Sequence, residues 1–172
     1  MLPDAEAFEL EFPGSDLVST LLARSLERVG AVVESAVSTV WRRHGLSHAG
    51  GNALAVIEGA GRPMTPGEIS AAMHITSGSI TSLLDTLEGR GMVQRTLHAG
   101  DRRKILVSIT DDGRTLLDNA LPAIQQMVRR LLGGLSGSER SQLLELLRRT
   151  HEVMIAADLS DVPTGHRNPR GR

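Results

Sequence analysis

The chain contains no cysteine and no tyrosine, and its 172 residues include one tryptophan and two phenylalanines. Without thiols it has no disulfide, no thiolate metal site, no cysteine nucleophile and no thiol redox sensor. Aromatics make up 2% and apolar residues 40%, so the core must be Leu, Val, Ile, Ala and Met. No apolar stretch approaches the roughly 20 residues that a membrane span needs. The chain opens acidic instead of with a basic-then-apolar leader, so a soluble, cytoplasmic protein is expected. Lysine is nearly missing as well: Lys104 is the one lysine among 19 basic residues. Composition does not decide between coding bias and a use for planar guanidinium contacts. Length suggests one domain with terminal arms.

The overall charge is close to balanced, 19 basic residues against 20 acidic, so no whole-molecule field points to nucleic acid or membrane. The local balance is uneven. Residues 1–14 carry Asp4, Glu6, Glu9 and Glu11 and no base. Residues 90–104 carry Arg90, Arg95, Arg102, Arg103 and Lys104 against Asp101, a net of +4. This is the one clear positive focus, although such a run is also compatible with a plain solvated face. Residues 160–172 hold three arginines, one aspartate, two prolines and two glycines, which reads as a disordered, weakly basic tail.

Apolar periodicity predicts a first helix from Asp16 to about His44, with Ser15 as its cap and Gly45 as its stop. At ~28 residues it would be ~42 Å long. Ser47 caps a second helix, stopped by Gly59 and Gly61. Thr65-Pro66-Gly67-Glu68 is a capping box with proline at the first helical position, opening a short helix over 66–73 that buries Ile69 and Met73. After a tight turn at His74-Ile75, Thr76 caps a helix over 77–90. Its apolar stripe is Ile80, Leu83, Leu84 and Leu87, and its opposite face is Ser77, Ser79, Thr81, Ser82 and Asp85. The period then changes to two. Val93, Arg95 and Leu97 form one strand and Ile105, Val107 and Ile109 another, joined by a basic loop from His98 to Lys104. Thr110-Asp111-Asp112-Gly113 opens a further helix with an acidic first turn. Pro122 either kinks this helix or removes one of its hydrogen bonds. Ser136-Gly137-Ser138-Glu139 is a second capping box, and the last helix frays by about Leu159.

A short helix, a tight turn, a second helix and a basic β-hairpin make a winged helix-turn-helix. The major groove of DNA admits a helix whose exposed face is small and polar near its N-terminus. Thr76, Ser77, Gly78, Ser79, Thr81 and Ser82 meet that requirement. Helix N-terminal N–H groups and hydroxyls also bind phosphate. The hairpin carries arginines towards the neighbouring minor groove. A hydroxyl-rich face or an arginine pair taken singly is ordinarily just solvated. Both in this order after a tight helical turn are much harder to dismiss.

On these residues the chain resembles the MarR family of bacterial transcriptional regulators. The run from Ile75 to Glu88 resembles the family's recognition helix, and Arg90-Gly91-Met92-Val93-Gln94-Arg95 the start of its wing. Gly100-Asp101-Arg102-Arg103-Lys104, followed by Thr110-Asp111-Asp112-Gly113, is similar to the wing motif and the helix start after it. The resemblance covers about residues 16–157. It implies a mostly α fold with a small β-hairpin wing and long N- and C-terminal dimerisation helices. The implied organisation is an acidic arm over 1–14, a dimerisation region over 15–46 and 111–159, a DNA-binding lobe over 47–110 and the tail over 160–172. The implied partners are double-stranded DNA with an inverted-repeat operator and a second copy of the chain, with repression as the usual outcome. Arg103 would enter the minor groove, oriented by Asp101. Arg102 would contact phosphate or the groove, Arg90 and Arg95 would contact phosphate, and Lys104 would add charge. Thr76, Ser77, Ser79, Thr81 and Ser82 would face the major groove. Ser82 and Thr86 stand where the family often has arginine, so base reading would lean on hydroxyl and apolar contacts and on DNA shape.

Family members are commonly released by a small phenolic or anionic molecule. Trp41, Arg42, His44 and His48, at the end of the first helix and the start of the second, are groups suited to an aromatic acid. The alternative is ordinary packing for Trp41 and exposed turn positions for the histidines. His44 and His48 have a zinc-like spacing, but Gly45 puts a helix boundary between them. No metal and no cofactor is expected. No nucleophile elbow, P-loop or dinucleotide loop is present, so an enzyme is not expected. The remaining rival is a winged-helix protein-interaction module without DNA-binding activity.

Overall fold

The computed structural model describes Gly14 and residues 16–98 and 100–158, with Arg102 described by its backbone alone. The acidic segment 1–13, the Ser15 cap, Leu159 and the tail over 160–172 lie outside the described residues. The described residues fall into two compact units, divided between Leu131 and Leu132.

The first unit contains α1 (Leu17–Arg43), α2 (His48–Gly59), α3 (Pro66–Met73), α4 (Ser77–Gly89), β1 (Val93–His98), β2 (Asp101–Ile109) and α5 (Asp111–Leu131). The N-cap of α1 is Asp16 and not the expected Ser15, because the Asp16 carboxylate accepts from the Ser19 N–H at 3.1 Å. That bond and the Ser19 hydroxyl hold the Asp16 carboxyl below the ordinary carboxylate range. Gly45 ends α1 with φ +70°, a backbone conformation that glycine adopts without steric cost. Ser47 and Thr65 cap α2 and α3 as the sequence indicates.

Both arms of the α3 capping box form. Thr65 Oγ1 accepts from the Glu68 N–H at 3.2 Å, and Glu68 Oε2 accepts from the Thr65 N–H at 2.7 Å. Arg62 closes on the other Glu68 oxygen at 2.7 Å. The Arg62 guanidinium, with the Thr65 N–H and hydroxyl, lowers the Glu68 pKa to about 2. A depressed carboxyl contributes stability above its unfolded-state pKa and loses it as pH falls through the folded one. The gap in urea midpoint between wild type and Glu68→Gln is therefore expected to close between about pH 5 and pH 2. A gap that stays constant over that range would mean that ionised Glu68 adds nothing to the cap.

The core takes residues from every element of this unit. Leu54, Ile69, Ile80, Leu84, Leu87, Val107 and Leu117 are its largest fully buried side chains. Met73 is half-buried and packs at the edge of this core instead of within it. Trp41, near the end of α1, lies flat against Gly51 of α2: a Cβ on Gly51 would fall 2.1 Å from the indole. The helices approach this closely because residue 51 has no side chain. The N-terminal part of α1 is different. Val18, Leu22, Val29 and Val32 are all more than half exposed, so this apolar face has no cover among the described residues.

β1 and β2 pair antiparallel as Val93–Ile109, Arg95–Val107 and Leu97–Ile105. Past Leu97 the register slips, and His98 pairs with Asp101. The expected loop over 98–104 is thus corrected: β2 already begins at Asp101, and residues 102–104 oppose no residue of β1. The basic triplet is a bulge in a strand. Met64 adds a further short pairing to Val107, with N–H···O distances of 2.7 and 3.0 Å in the two directions. The Thr110 hydroxyl donates to the Gly91 carbonyl at 2.6 Å and accepts from the Gly113 N–H at 3.1 Å. It thereby fixes the start of α5 to the end of α4. Pro122 lies inside α5, which continues to Leu131, so it removes one donor without ending the helix.

The second unit contains α6 (Gly137–Ala156), capped by Ser136 with Glu139 completing a capping box. Arg148 bridges Glu145 at 2.9 Å and Glu152 at 2.5 Å. No residue of α6 is buried, and Leu144, Leu146, Val153, Met154 and Ile155 are each more than half exposed.

Candidate nucleic-acid interface

Between α3 and α4 the chain turns at His74, which takes a left-handed conformation with φ 54°. Thr76 then caps α4: its hydroxyl oxygen accepts from the Ser79 N–H at 3.3 Å and shares a hydrogen bond with the Ser79 hydroxyl at 2.9 Å. Ile80, Leu84 and Leu87 bury one face of α4. The face that remains outside holds Thr76, Ser77, Ser79, Thr81 and Ser82, all exposed. The Thr81 hydroxyl donates back to the Ser77 carbonyl at 3.1 Å, leaving its lone pairs outward. The hydroxyls of Ser77 and Ser82 make no hydrogen bond to another described residue. The result is a short row of donors and acceptors close to the helix backbone.

The basic residues divide into two groups. Arg95 is half-buried and committed inside the protein. It pairs with Asp85 at 2.6 Å and Glu88 at 2.9 Å, while Glu88 also accepts from the Arg95 N–H at 3.2 Å. This ties the root of the wing to α4. Arg90 is committed too, its guanidinium donating to the carbonyls of Gly45 and His44. Arg103 belongs to the other group. Its side chain is 93% exposed, and Asp101 steadies it by accepting from its backbone N–H at 3.1 Å and its Nε at 3.3 Å. The Nη groups of Arg103 point away from any described partner. Lys104 is exposed and, with Arg62, Thr65, Glu68, His98 and Leu106, borders a shallow cavity of about 520 Å³. The Arg102 side chain lies outside what is described.

Three partner roles were not visible in the sequence. His98 Nδ1 accepts from the N–H groups of Gly100 at 3.1 Å and Asp101 at 3.2 Å, which shapes the wing tip. Asp85 and Glu88 anchor Arg95. Their spacing of three on one helix, shortly before a strand arginine, is the signal that would have found them.

The four residues considered for an effector do not come together. Trp41 is 3% exposed and belongs to the core. Arg42 and His48 border an open groove of about 620 Å³ with Ser38, Gly45, Leu46 and Ser47, and His44 is not part of its lining. Arg42 donates to the Thr39 hydroxyl at 3.0 Å, and the buried Nδ1 of His48 has no hydrogen-bond partner. Among the described residues no cluster of three or more His, Cys, Asp or Glu is placed to hold a metal ion. No helix among them is long and apolar enough to cross a membrane.

Fold and site together define a winged helix-turn-helix protein. The MarR family model matches residues 44–104, from the α1–α2 turn to the wing bulge. The regulator PecS of Dickeya dadantii is 29% identical over 147 residues, covering 84% of this chain and 89% of PecS. Alignments with further curated helix-turn-helix regulators span about half of each relative. CouR of Rhodococcus jostii, solved with p-coumaroyl-CoA, superposes with a TM-score of 0.70 at 27% identity, over 84% of this chain and 98% of CouR. A MarR mutant of E. coli, solved with operator DNA, gives a TM-score of 0.71 at 23% identity over 83% and 96% of the two chains, a likeness of fold. Over residues 44–104 the chain is similar to the MarR family, and the curated relatives it matches are named as transcriptional regulators.

Proposed function

We propose that this protein is a homodimeric, sequence-specific DNA-binding repressor that reads an inverted-repeat operator. The observation that carries the reading is the exposed hydroxyl face of α4 beside a bulged basic wing whose Arg103 is free of internal carboxylates other than Asp101. Thr76, Ser77, Ser79, Thr81 and Ser82 meet the major groove. Arg103, oriented by Asp101, enters the minor groove with Arg102 and Lys104 beside it. Arg90 and Arg95 hold the frame, because their guanidinium groups already have partners in the protein. The dimerisation region spans 15–46 and 111–159, and the uncovered apolar faces of α1 and α6 support it. Residues 47–110 form the DNA-binding lobe. Two recognition helices related by a two-fold axis would address half-sites one turn apart, about 34–36 Å.

Selection of bound duplexes from a random DNA pool tests this reading. An enriched inverted repeat with that spacing supports a dimeric regulator, and no enrichment at low salt removes it in favour of a protein-interaction module. On a selected duplex, Arg103→Ala is expected to weaken binding by about 1–3 kcal/mol and to flatten the salt dependence. Titration at two salt concentrations reads both, and an unchanged affinity and slope would take Arg103 out of the interface.

A small aromatic or anionic effector would release the DNA. The groove bordered by Arg42 and His48 supports this reading, with a guanidinium for a carboxylate. His44 is not part of this lining, and Trp41 is buried in the core. Thermal shift with a panel of aromatic acids, on wild type and Arg42→Ala, tests the groove. No shift in the wild type leaves the effector without support.

A further inference from the structure

Arg90 stands at the C-cap of α4, directly before Gly91, where the chain turns into the wing. Its guanidinium reaches 45 residues back to the carbonyl of Gly45, and its Nη2 lies 3.4 Å from the carbonyl of His44. Those two carbonyls sit at the end of α1, where a helix leaves acceptors unsatisfied and its dipole is negative. A guanidinium supplied from another element satisfies both needs. Residue 45 accommodates this for two reasons: its φ is +70°, and a Cβ there would fall 3.1 Å from Arg90 Nη2. Gly45 also borders the groove formed with Arg42 and His48. One residue thus joins the α1–α2 turn, the end of the recognition helix and the start of the wing.

We propose that Arg90 is a positioning residue for DNA binding: it fixes the recognition helix and wing to the α1–α2 turn, so that the groove at this turn and the DNA-facing surface are mechanically coupled. This rests on the DNA-binding reading above. Arg90 acts through α4 and not on phosphate, which separates it from Arg103.

The test measures duplex affinity per folded molecule against salt for wild type, Arg90→Ala, Arg90→Lys and Arg103→Ala, with amide hydrogen exchange on the same proteins. Arg90→Ala is expected to weaken binding about tenfold, the scale of lost hydrogen bonds to a charged group. The slope of log affinity against log salt should stay at the wild-type value. Arg103→Ala should instead reduce the slope, by about 0.9 for each phosphate charge neutralised. Exchange in Arg90→Ala should rise together at residues 44–48 and 89–92 while the α2–α3 core keeps its protection. Arg90→Lys keeps the charge but loses the fork, and is expected to fall between wild type and Arg90→Ala. Wild-type affinity in Arg90→Ala overturns the role, as does a reduced slope, which would make Arg90 a phosphate contact. Arg90→Lys equal to wild type, with Arg90→Ala reducing the slope, overturns it in the same way. A wild-type protein that captures no duplex overturns the DNA-binding reading itself, and this role with it.

Discussion

Replacing Gly51 by alanine is expected to lower stability by about 3 kcal/mol, at the upper end of the range for overpacking. The added methyl would sit 2.1 and 2.2 Å from two carbons of the Trp41 indole. Neither side yields easily. Gly51 lies within α2 and is buried, and Trp41 is 3% exposed in the same core. Alanine gains roughly 1 kcal/mol over glycine in helix propensity, but that offsets only part of the strain. Urea unfolding followed by the fluorescence of the single tryptophan measures the shift directly. An unchanged midpoint would show that α1 and α2 do not approach this closely.

The reciprocal change, Trp41→Ala, should cost more, about 3–5 kcal/mol, because it empties the same contact. Against a typical domain stability of about 5–15 kcal/mol this is a large fraction. Circular dichroism replaces fluorescence as the probe, since the variant has no tryptophan. Trp41→Ala is therefore a poor test of effector binding, and Arg42→Ala is the sound one. The two sites also couple. A smaller residue at 41, as in Trp41→Leu, should recover part of what Gly51→Ala loses, and strict additivity would contradict the packing.

Much of this fold was legible in the sequence, for reasons that particular residues supply. Thr65, Thr76 and Ser136 are short hydroxyl side chains placed before apolar periodicity, and each caps the helix expected of it. Capping is local chemistry, so local sequence reports it. Ile80, Leu84 and Leu87 mark the buried stripe of α4 by spacing alone. Contacts between distant segments were hidden. Nothing near Arg90 in the sequence announces Gly45, and nothing near Trp41 explains why Gly51 lacks a side chain. Arg95 reads as one more surface cation until Asp85 and Glu88 are folded against it. The wing misled for another reason. A period-two pattern registers paired residues, and residues 102–104 have no cross-strand partner, so they resemble a loop. The exposed hydroxyl face of α4 was readable as composition, while which arginines remain available to a partner required the structure.

That bulge separates the hairpin into two parts with different freedoms. At the root, the pairs Val93–Ile109 and Arg95–Val107, with Met64 alongside, fix which side chains turn inward. A shift of one residue there would turn every buried side chain of the strand to solvent. Residues 102–104 stand outside that ladder. Their number and charge can change without moving a core residue, so the reach and sign of the wing tip can vary over evolution while the hydrophobic root stays as it is.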